Sequence, residues 1–239
     1  MRAKIIEIFS SIQGEGLWVG RPQVFVRFKG CRLKCAYCDT PLTHSKIQEA
    51  RIEYPPFSRQ FEKHSLEFSA EELTKSVERY QPRSLAITGG EPLEQVDFLA
   101  EWFPTLAGRC EILLETSGVE VEALGRVISF IDMVSLDIKI PSATGERAYW
   151  EIHDRFIETA KQKGHYAKVV FDEKMTDEEI ERLMILFSKH PQLPVVFQPV
   201  SPVQRRDLKR CFALFQLFAE RFPKRVRLIP QTHKLLSIL

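Results

Sequence analysis

The sequence predicts an α/β fold, namely a partial and open TIM-like barrel of about six parallel strands with extra N- and C-terminal strands. Two observations predict it. From about residue 80 onward strand-like and helix-like segments alternate, and segments rich in cysteine, glycine or polar residues follow the strands. Barrels of this kind collect their chemistry at the carboxyl ends of the strands. We therefore expect a single domain over residues 1–239 with one site at that edge.

The barrel strands are short apolar segments bounded by turn residues or helical patterns. They are predicted at about residues 22–28, 84–88, 111–116, 133–138, 166–171 and 194–199. In the first of these, Val24, Val26 and Phe28 share one face, whereas Phe25 and Arg27 share the other. Arg27 is therefore expected to point toward the barrel axis.

The helices follow from apolar periodicity and from their caps. Ser69 and Glu72 have the spacing of a capping box and predict a helix over 69–80. Further helices are expected over about 177–189 and 204–222. Residues 41–68 lack a clean periodicity, and so long a connection is predicted to be an insertion, a lid or a partner loop.

Composition narrows the class of protein. Hydrophobic residues make up 44% and charged residues 28%, as in an ordinary soluble domain. A net charge of +2, from 34 basic and 32 acidic residues, argues against nucleic acid or an anionic membrane as the main partner. The N-terminal segment MRAKIIEIF lacks a cleavage site, and no apolar stretch reaches the roughly 18 residues of a membrane span. These features predict a cytoplasmic protein.

Three cysteines within eight residues indicate a metal site. Cys31, Cys35 and Cys38 are spaced by three residues and then two in the segment GCRLKCAYCDT. Thiolates suit either an iron–sulfur cluster or zinc. Structural zinc would need a fourth ligand, and His44 is the one close candidate. Three thiolates on a [4Fe–4S] cluster would instead leave one iron open.

This spacing, with Tyr37 before the third cysteine, resembles the radical S-adenosylmethionine (SAM) superfamily. In that superfamily SAM chelates the open iron and is cleaved to a 5′-deoxyadenosyl radical. The segment ITGGEPL, residues 87–93, resembles the glycine-rich segment that binds the SAM amino group. The resemblance implies SAM contacts at Tyr37, Asp39, Gly89, Gly90, Glu91, Ser117, Ser135, Asp137, Lys139, Gln198 and Ser201. Helix capping and surface charge are the alternative roles for the polar members of this set.

Two further segments narrow the resemblance. FSSIQGEG (residues 9–16) and PQTHK (residues 230–234), together with Asp39-Thr40 after the cysteines, resemble the 7-carboxy-7-deazaguanine synthases. That family contracts 6-carboxytetrahydropterin with loss of ammonia, in queuosine and deazapurine biosynthesis. The resemblance implies Mg²⁺ at Thr40, an external reductant such as flavodoxin, and a homodimer. From the sequence pattern alone, Thr40 would be a helix cap.

A pterin substrate accounts for two charged residues. Glu15 is an acceptor that can bind the pterin 2-amino group and the adjacent ring N–H together. Arg27 can pair with the substrate carboxylate as a fork. A solvated hairpin carboxylate and a structural ion pair are the respective alternatives. The predicted substrate contacts are Ile12, Gln13, Gly14, Glu15, Arg27, Thr88, Gln231 and His233. His233, near the terminus, could instead be a surface residue.

Two other functions share part of this pattern. A glycyl-radical activating enzyme has the same cysteine spacing but acts on a protein partner. A zinc-binding module would have no catalytic activity. The Gln-Gly-Glu-Gly segment and Arg27 argue against the first, and metal content distinguishes the second.

Overall fold

The computed structural model describes residues 1–201 and 205–238. In this part of the chain one sheet of 11 strands runs in the order β11-β10-β9-β8-β7-β6-β2-β1-β3-β4, with β5 paired to β1. The strands are β1 (Arg2–Ile12), β2 (Pro22–Phe28), β3 (Glu49–Glu53), β4 (Phe61–Ser65), β5 (Glu67–Ser69), β6 (Ser84–Gly89), β7 (Glu111–Thr116), β8 (Met133–Asp137), β9 (Gly164–Phe171), β10 (Val195–Pro199) and β11 (Val226–Leu228).

The strands from β2 through β6, β7, β8, β9 and β10 to β11 pair in parallel, whereas β1 pairs antiparallel with β2. The sheet is not closed, since β11 and β4 lie at its two ends. The predicted open barrel with extra strands near both termini is therefore confirmed. Its six barrel strands begin and end within about two residues of the predicted positions.

Helices cover the outer face of this sheet. They are α1 (Ala70–Glu78), α2 (Val96–Leu106), α3 (Val121–Val127), α4 (Pro141–Thr144), α5 (Trp150–Ala160), α6 (Asp177–Lys189), α7 (Arg205–Arg221) and α8 (Thr232–Leu235). The capping box before α1 is present, because the Glu72 N–H donates to Ser69 Oγ at 3.2 Å and Ser69 N–H donates to the Glu72 carboxylate. Thr176 and Glu179 form a second capping box before α6.

The side chains of β2 alternate as predicted, and the two faces of the strand belong to two separate hydrophobic cores. Val24, Val26 and Phe28 belong to the large core between sheet and helices. Phe25 faces the barrel interior, where it stacks on Phe9 with ring centroids 5.0 Å apart. With Ala86 and Leu113 these two rings form an apolar floor beneath the site.

Residues 41–68 extend the sheet. β3 pairs in parallel with β1, β4 pairs with β3, and β5 returns to β1. The buried Glu53 carboxylate accepts hydrogen bonds from Ser10 N–H and Arg59 N–H, each at 2.8 Å. Most of the segment is therefore fastened to the edge of the sheet. No helix in the described part of the chain is long and apolar enough to cross a membrane.

Candidate active site

A cavity of about 550 Å³ opens at the carboxyl ends of the barrel strands. Its size is that of a small-molecule site. It brings together the predicted site residues Ile12, Gln13, Gly14, Glu15, Arg27, Cys31, Cys35, Tyr37, Cys38, Asp39, Thr40, Thr88, Gly89, Gly90, Ser117, Ser135, Asp137, Lys139, Gln198, Ser201, Gln231 and His233. Glu91 is the one predicted site residue that does not line it.

The loop after β2 carries the three cysteines. Cys31 and Cys35 are partly buried, whereas Cys38 is exposed. Burial raises the pKa of Cys31 to about 12 and also raises the pKa of Cys35. All three cysteines line the same cavity.

The glycine-rich turn after β6 packs directly on the cysteine loop. Gly90 N–H donates to Phe28 C=O at 3.0 Å, and Glu91 N–H donates to Gly30 C=O at 2.8 Å. A Cβ atom on Gly90 would lie 1.8 Å from the Gly30 carbonyl oxygen. Only glycine therefore permits this approach of the two loops.

The Glu91 side chain turns into the protein, away from the cavity. Its carboxylate accepts hydrogen bonds from Thr116 Oγ1 at 2.8 Å and Ser117 N–H at 2.7 Å. Burial raises the pKa of Glu91 despite these bonds. Glu91 thus fastens the glycine turn to the end of β7. Sequence pattern could not determine which way this carboxylate points.

Several buried polar atoms in the cavity wall have no hydrogen-bond partner among the described residues. They are Thr43 Oγ1, Ser117 Oγ, Asp137 Oδ1 and Gln198 Oε1. An unpaired buried polar atom costs ~1–3 kcal/mol, so such a group of atoms indicates a polar ligand. SAM, with its amino, carboxylate and ribose hydroxyl groups, fits this wall.

An ion pair between Lys139 and Asp137 orders the polar groups on this wall of the cavity. Lys139 Nζ donates to Asp137 Oδ2 at 2.8 Å and to the Tyr37 hydroxyl at 3.1 Å. Burial alone would lower the pKa of Lys139, but Asp137 raises it well above its ordinary value. Because Lys139 occupies one carboxylate oxygen, Asp137 Oδ1 stays available for a ligand.

His153, on α5, supports the same wall from behind. Lys139 N–H donates to its Nε2 at 3.0 Å, so Nδ1 carries the proton and donates to Gly118 C=O at 3.1 Å. Burial lowers the pKa of His153 to about 4. The imidazole thereby joins the loops after β7 and β8.

Arg27 lines the cavity and is held by two hydrogen bonds. Its Nε donates to Glu7 Oε1 at 2.8 Å, and its Nη1 donates to Thr40 Oγ1 at 3.2 Å. The structural ion pair therefore exists and fixes the plane of the guanidinium group. Thr40 precedes a short 3-10 helix, but its side chain does not cap that helix. Thr40 instead lines the cavity.

Glu15 is not a solvated carboxylate. Lys168 Nζ donates to its Oε2 at 2.5 Å, and Gln231 Nε2 donates to its Oε1 at 2.6 Å. Burial alone would raise the pKa of Glu15, but Lys168 and Gln231 bring it down to about 2. Glu15 is therefore an acceptor at every physiological pH.

The C-terminal segment closes over the Gln-Gly-Glu-Gly turn. Thr232 N–H donates to Gly14 C=O at 2.9 Å. A Cβ atom on Gly14 would lie 2.0 Å from Nδ1 of His233, so the glycine makes room for the imidazole. His233 therefore lies at the site, and burial lowers its pKa.

Several charged residues of the cavity wall were not predicted from the sequence, and two of them, Glu115 and Lys168, come from barrel strands. Glu115 accepts hydrogen bonds from Gln13 Nε2 at 2.9 Å and from Thr88 Oγ1 at 2.7 Å. Lys168 is the strand neighbour of Asp137 in the register of β8 and β9. A charged residue within an otherwise apolar barrel strand was the available signal for each.

Comparisons with known proteins agree with this geometry. The model of the radical SAM superfamily matches residues 25–187. A 7-carboxy-7-deazaguanine synthase from Geobacter sulfurreducens is 39% identical over 99% of this chain and 98% of its own length. One from Methanothermobacter thermautotrophicus is 35% identical over 100% and 98%, respectively.

The fold has relatives among solved structures. The crystal structure of QueE from Escherichia coli has a TM-score of 0.64 at 23% identity and covers 98% of this chain and 95% of that chain. Similarity at this identity concerns the fold, whereas the near-complete matches to the synthases concern the family. The chain belongs to the 7-carboxy-7-deazaguanine synthase family of the radical SAM superfamily.

Proposed function

We propose that this enzyme converts 6-carboxy-5,6,7,8-tetrahydropterin to 7-carboxy-7-deazaguanine by radical ring contraction with loss of ammonia. One observation carries the proposal: a single cavity contains both a three-cysteine loop and Glu15 and Arg27, two opposite charges suited to the two ends of a carboxypterin. The match to the synthases over nearly the full length supports it.

The cofactors are a [4Fe–4S] cluster and SAM, for which the donor atoms of this site are suitable. Cys31, Cys35 and Cys38 would hold the cluster. The SAM wall would be formed by the glycine turn and by the unpaired oxygens of Ser117, Asp137 and Gln198. When bound, the two cofactors supply the hydrogen-atom abstraction that starts the rearrangement.

The chain itself positions the substrate. Arg27 binds the carboxylate, and Glu15 accepts hydrogen bonds from the 2-amino group and ring N–H of the pterin. Gln231 and His233 cover the pyrimidine end, where they contact the turn that carries Glu15. With both ends fixed, the hydrogen at C6 keeps one position relative to SAM.

Three finer assignments belong to the same proposal. Mg²⁺ is proposed at Thr40, whose hydroxyl faces the Arg27 guanidinium and therefore the substrate carboxylate. Mg²⁺ commonly keeps several waters and borrows oxygens from its substrate, so one protein ligand is sufficient. A flavodoxin-like reductant and a homodimer are proposed from family resemblance.

The test is an anaerobic assay of reconstituted protein with the tetrahydropterin, SAM, Mg²⁺ and a reductant. We expect a product lighter than the substrate by one ammonia, without stoichiometric consumption of SAM, detected by mass spectrometry. Formation of 5′-deoxyadenosine with unchanged pterin would refute the substrate. A colourless zinc protein would refute the class of enzyme.

A further inference from the structure

Lys168 occupies an unusual position for a lysine. It lies on β9, the strand of the sequence YAKVVF, and its side chain is only 12% exposed. Tyr166 and Val170, two residues to either side, are also buried. An ammonium group in such a place carries a large desolvation cost, which only closely placed partners offset.

The two carboxylates near Lys168 belong to different parts of the site, one proposed to bind the pterin and the other proposed to bind SAM. Lys168 Nζ lies 2.5 Å from Glu15 Oε2 and 3.9 Å from Asp137 Oδ2. Glu15 is the proposed pterin carboxylate, and Asp137 belongs to the SAM wall. Asp137 already has its own partner in Lys139, at 2.8 Å. The primary charge partner of Lys168 is therefore Glu15.

The number of lone pairs on Glu15 determines how many further hydrogen bonds its carboxylate can accept from a ligand. A carboxylate has about four lone-pair positions, two on each oxygen. Lys168 takes one position on Oε2, and Gln231 takes one on Oε1. One position on each oxygen remains, which matches two donors side by side.

We propose that Lys168 is a positioning residue for the substrate, which holds Glu15 ionised and oriented so that its remaining lone pairs accept the paired N–H donors of the pterin edge. This inference rests on the proposed function. Through Glu15, Lys168 contributes to recognition of a ring edge that carries two hydrogen-bond donors. A ring that carries an acceptor at the same edge is thereby excluded.

The surroundings show why Glu15 needs this cation. Burial alone would raise the pKa of Glu15. The charged or titratable groups around the pair and the neighbouring His233 are Arg27, Asp39, Glu115, Asp137, Tyr166, His233 and Lys234. Arg27 is paired with Glu7 and Lys234 lies 3.4 Å from Asp39, whereas Lys168 contacts Glu15 itself. Three of these are further carboxylates, and His233 is neutral near neutral pH because burial lowers its pKa. Without Lys168 the Glu15 carboxyl group would be protonated at higher pH, and it would then offer a donor to the pterin donors.

The test measures equilibrium binding of 6-carboxypterin, by calorimetry, to the cluster-loaded protein. The variants are Lys168→Met, Lys168→Arg, Glu15→Gln and the double variant, with Lys75→Met as the matched control. Lys75 forms an exposed ion pair with Glu71 on α1, far from the cavity. Circular dichroism and thermal melting report whether each variant is folded.

We expect K168M to weaken binding at least tenfold at pH 7.5, whereas K168R stays within threefold of wild type and K75M is unchanged. In the E15Q background, K168M should change binding by less than twofold, because its effect passes through Glu15. Binding to K168M should also decline further from pH 7 to pH 5.5, where the ring N–H of the pterin stays protonated, while wild-type binding stays constant. If K168M does not fold, K168Q replaces it in the same cycle.

Two results would overturn the assignment. One is binding to K168M within twofold of wild type. The other is that K168M weakens binding as strongly in the E15Q background as it does in the wild-type background. A purely structural role would weaken binding without the change in pH dependence. If the wild-type protein itself binds no 6-carboxypterin, the proposed substrate fails, and that result is distinct from failure of the lysine alone.

Discussion

His153, which is buried behind the wall proposed to bind SAM, makes the unfolding free energy of the protein depend on pH in the acid range. The imidazole is fully buried and neutral, with a pKa lowered by burial to about 4 from 6.5. In the unfolded chain it binds a proton below about pH 6.5, whereas in the folded protein it does so only below about pH 4. As the pH falls through this interval the unfolded state gains protons first, and stability is lost.

The magnitude follows from the two pKa values. A difference of 2.5 units between 6.5 and about 4 corresponds to ~3 kcal/mol of unfolding free energy once the pH is below both. At pH 5 most of this loss, ~2 kcal/mol, has already occurred, whereas at pH 7.5 it is close to zero.

The assay compares wild type with His153→Gln in urea unfolding of cluster-free protein from pH 7.5 to pH 5. A glutamine amide does not titrate, and its two ends can still accept from Lys139 N–H and donate to Gly118 C=O. We expect the difference in unfolding free energy between the two proteins to change by ~2 kcal/mol over this range, in favour of the variant at low pH. A difference that is the same at every pH would refute the neutral buried imidazole.

Three further outcomes are expected in the cavity. Arg27→Lys replaces a fork by a point charge and should lower kcat/KM for the pterin ~10- to 100-fold, mainly through KM, with SAM binding unchanged in a parallel titration. Gly90→Ala brings a Cβ atom 1.8 Å from the Gly30 carbonyl oxygen and should abolish SAM binding, measured by equilibrium dialysis. The control is Gly108→Ala at an exposed position. There the Cβ atom has open space but the φ angle is positive, so this variant should lower stability and leave SAM binding unchanged. Thr40→Val keeps the side-chain shape and should reduce the stimulation of turnover by Mg²⁺; equal stimulation in both proteins would argue against a cation at this hydroxyl.

The sequence determined the barrel strands well because each is an apolar run bounded by turns or helical patterns. The two strands β3 and β4, with the sequences EARIE and FEKHS, were not predicted. Both are short and rich in charged residues. β3 pairs with β1, and β4 pairs with β3 at the edge of the sheet, so their positions depend on their neighbours and not on their own pattern. Edge strands of this composition are common, because charges prevent further pairing.

Side-chain partners were harder to predict than strands. Glu15 and Arg27 were predicted to be site residues and line the cavity, but the partners of Glu15 lie 153 and 216 residues away in the chain. Lys168 meets Asp137 only through the register of β8 against β9, which no local pattern specifies. Glu91 shows the converse: its motif was correctly located, but its carboxylate satisfies internal N–H and O–H donors.

The placement of these groups explains why an open barrel is sufficient for this chemistry. The cysteine loop, the glycine turn, Ser117 and Asp137 follow β2, β6, β7 and β8, which are consecutive strands of the sheet. Glu15, by contrast, follows β1, and Gln231 follows β11, so in the proposed binding mode the pyrimidine end contacts segments outside the barrel strands. Since the sheet does not close between these two sides, the gap is bridged by hydrogen bonds from Gln231 to Glu15 at 2.6 Å and from Thr232 to Gly14 at 2.9 Å. These hydrogen bonds thus close the side of the cavity that the open sheet leaves without a strand, above the apolar floor formed by Phe9 and Phe25.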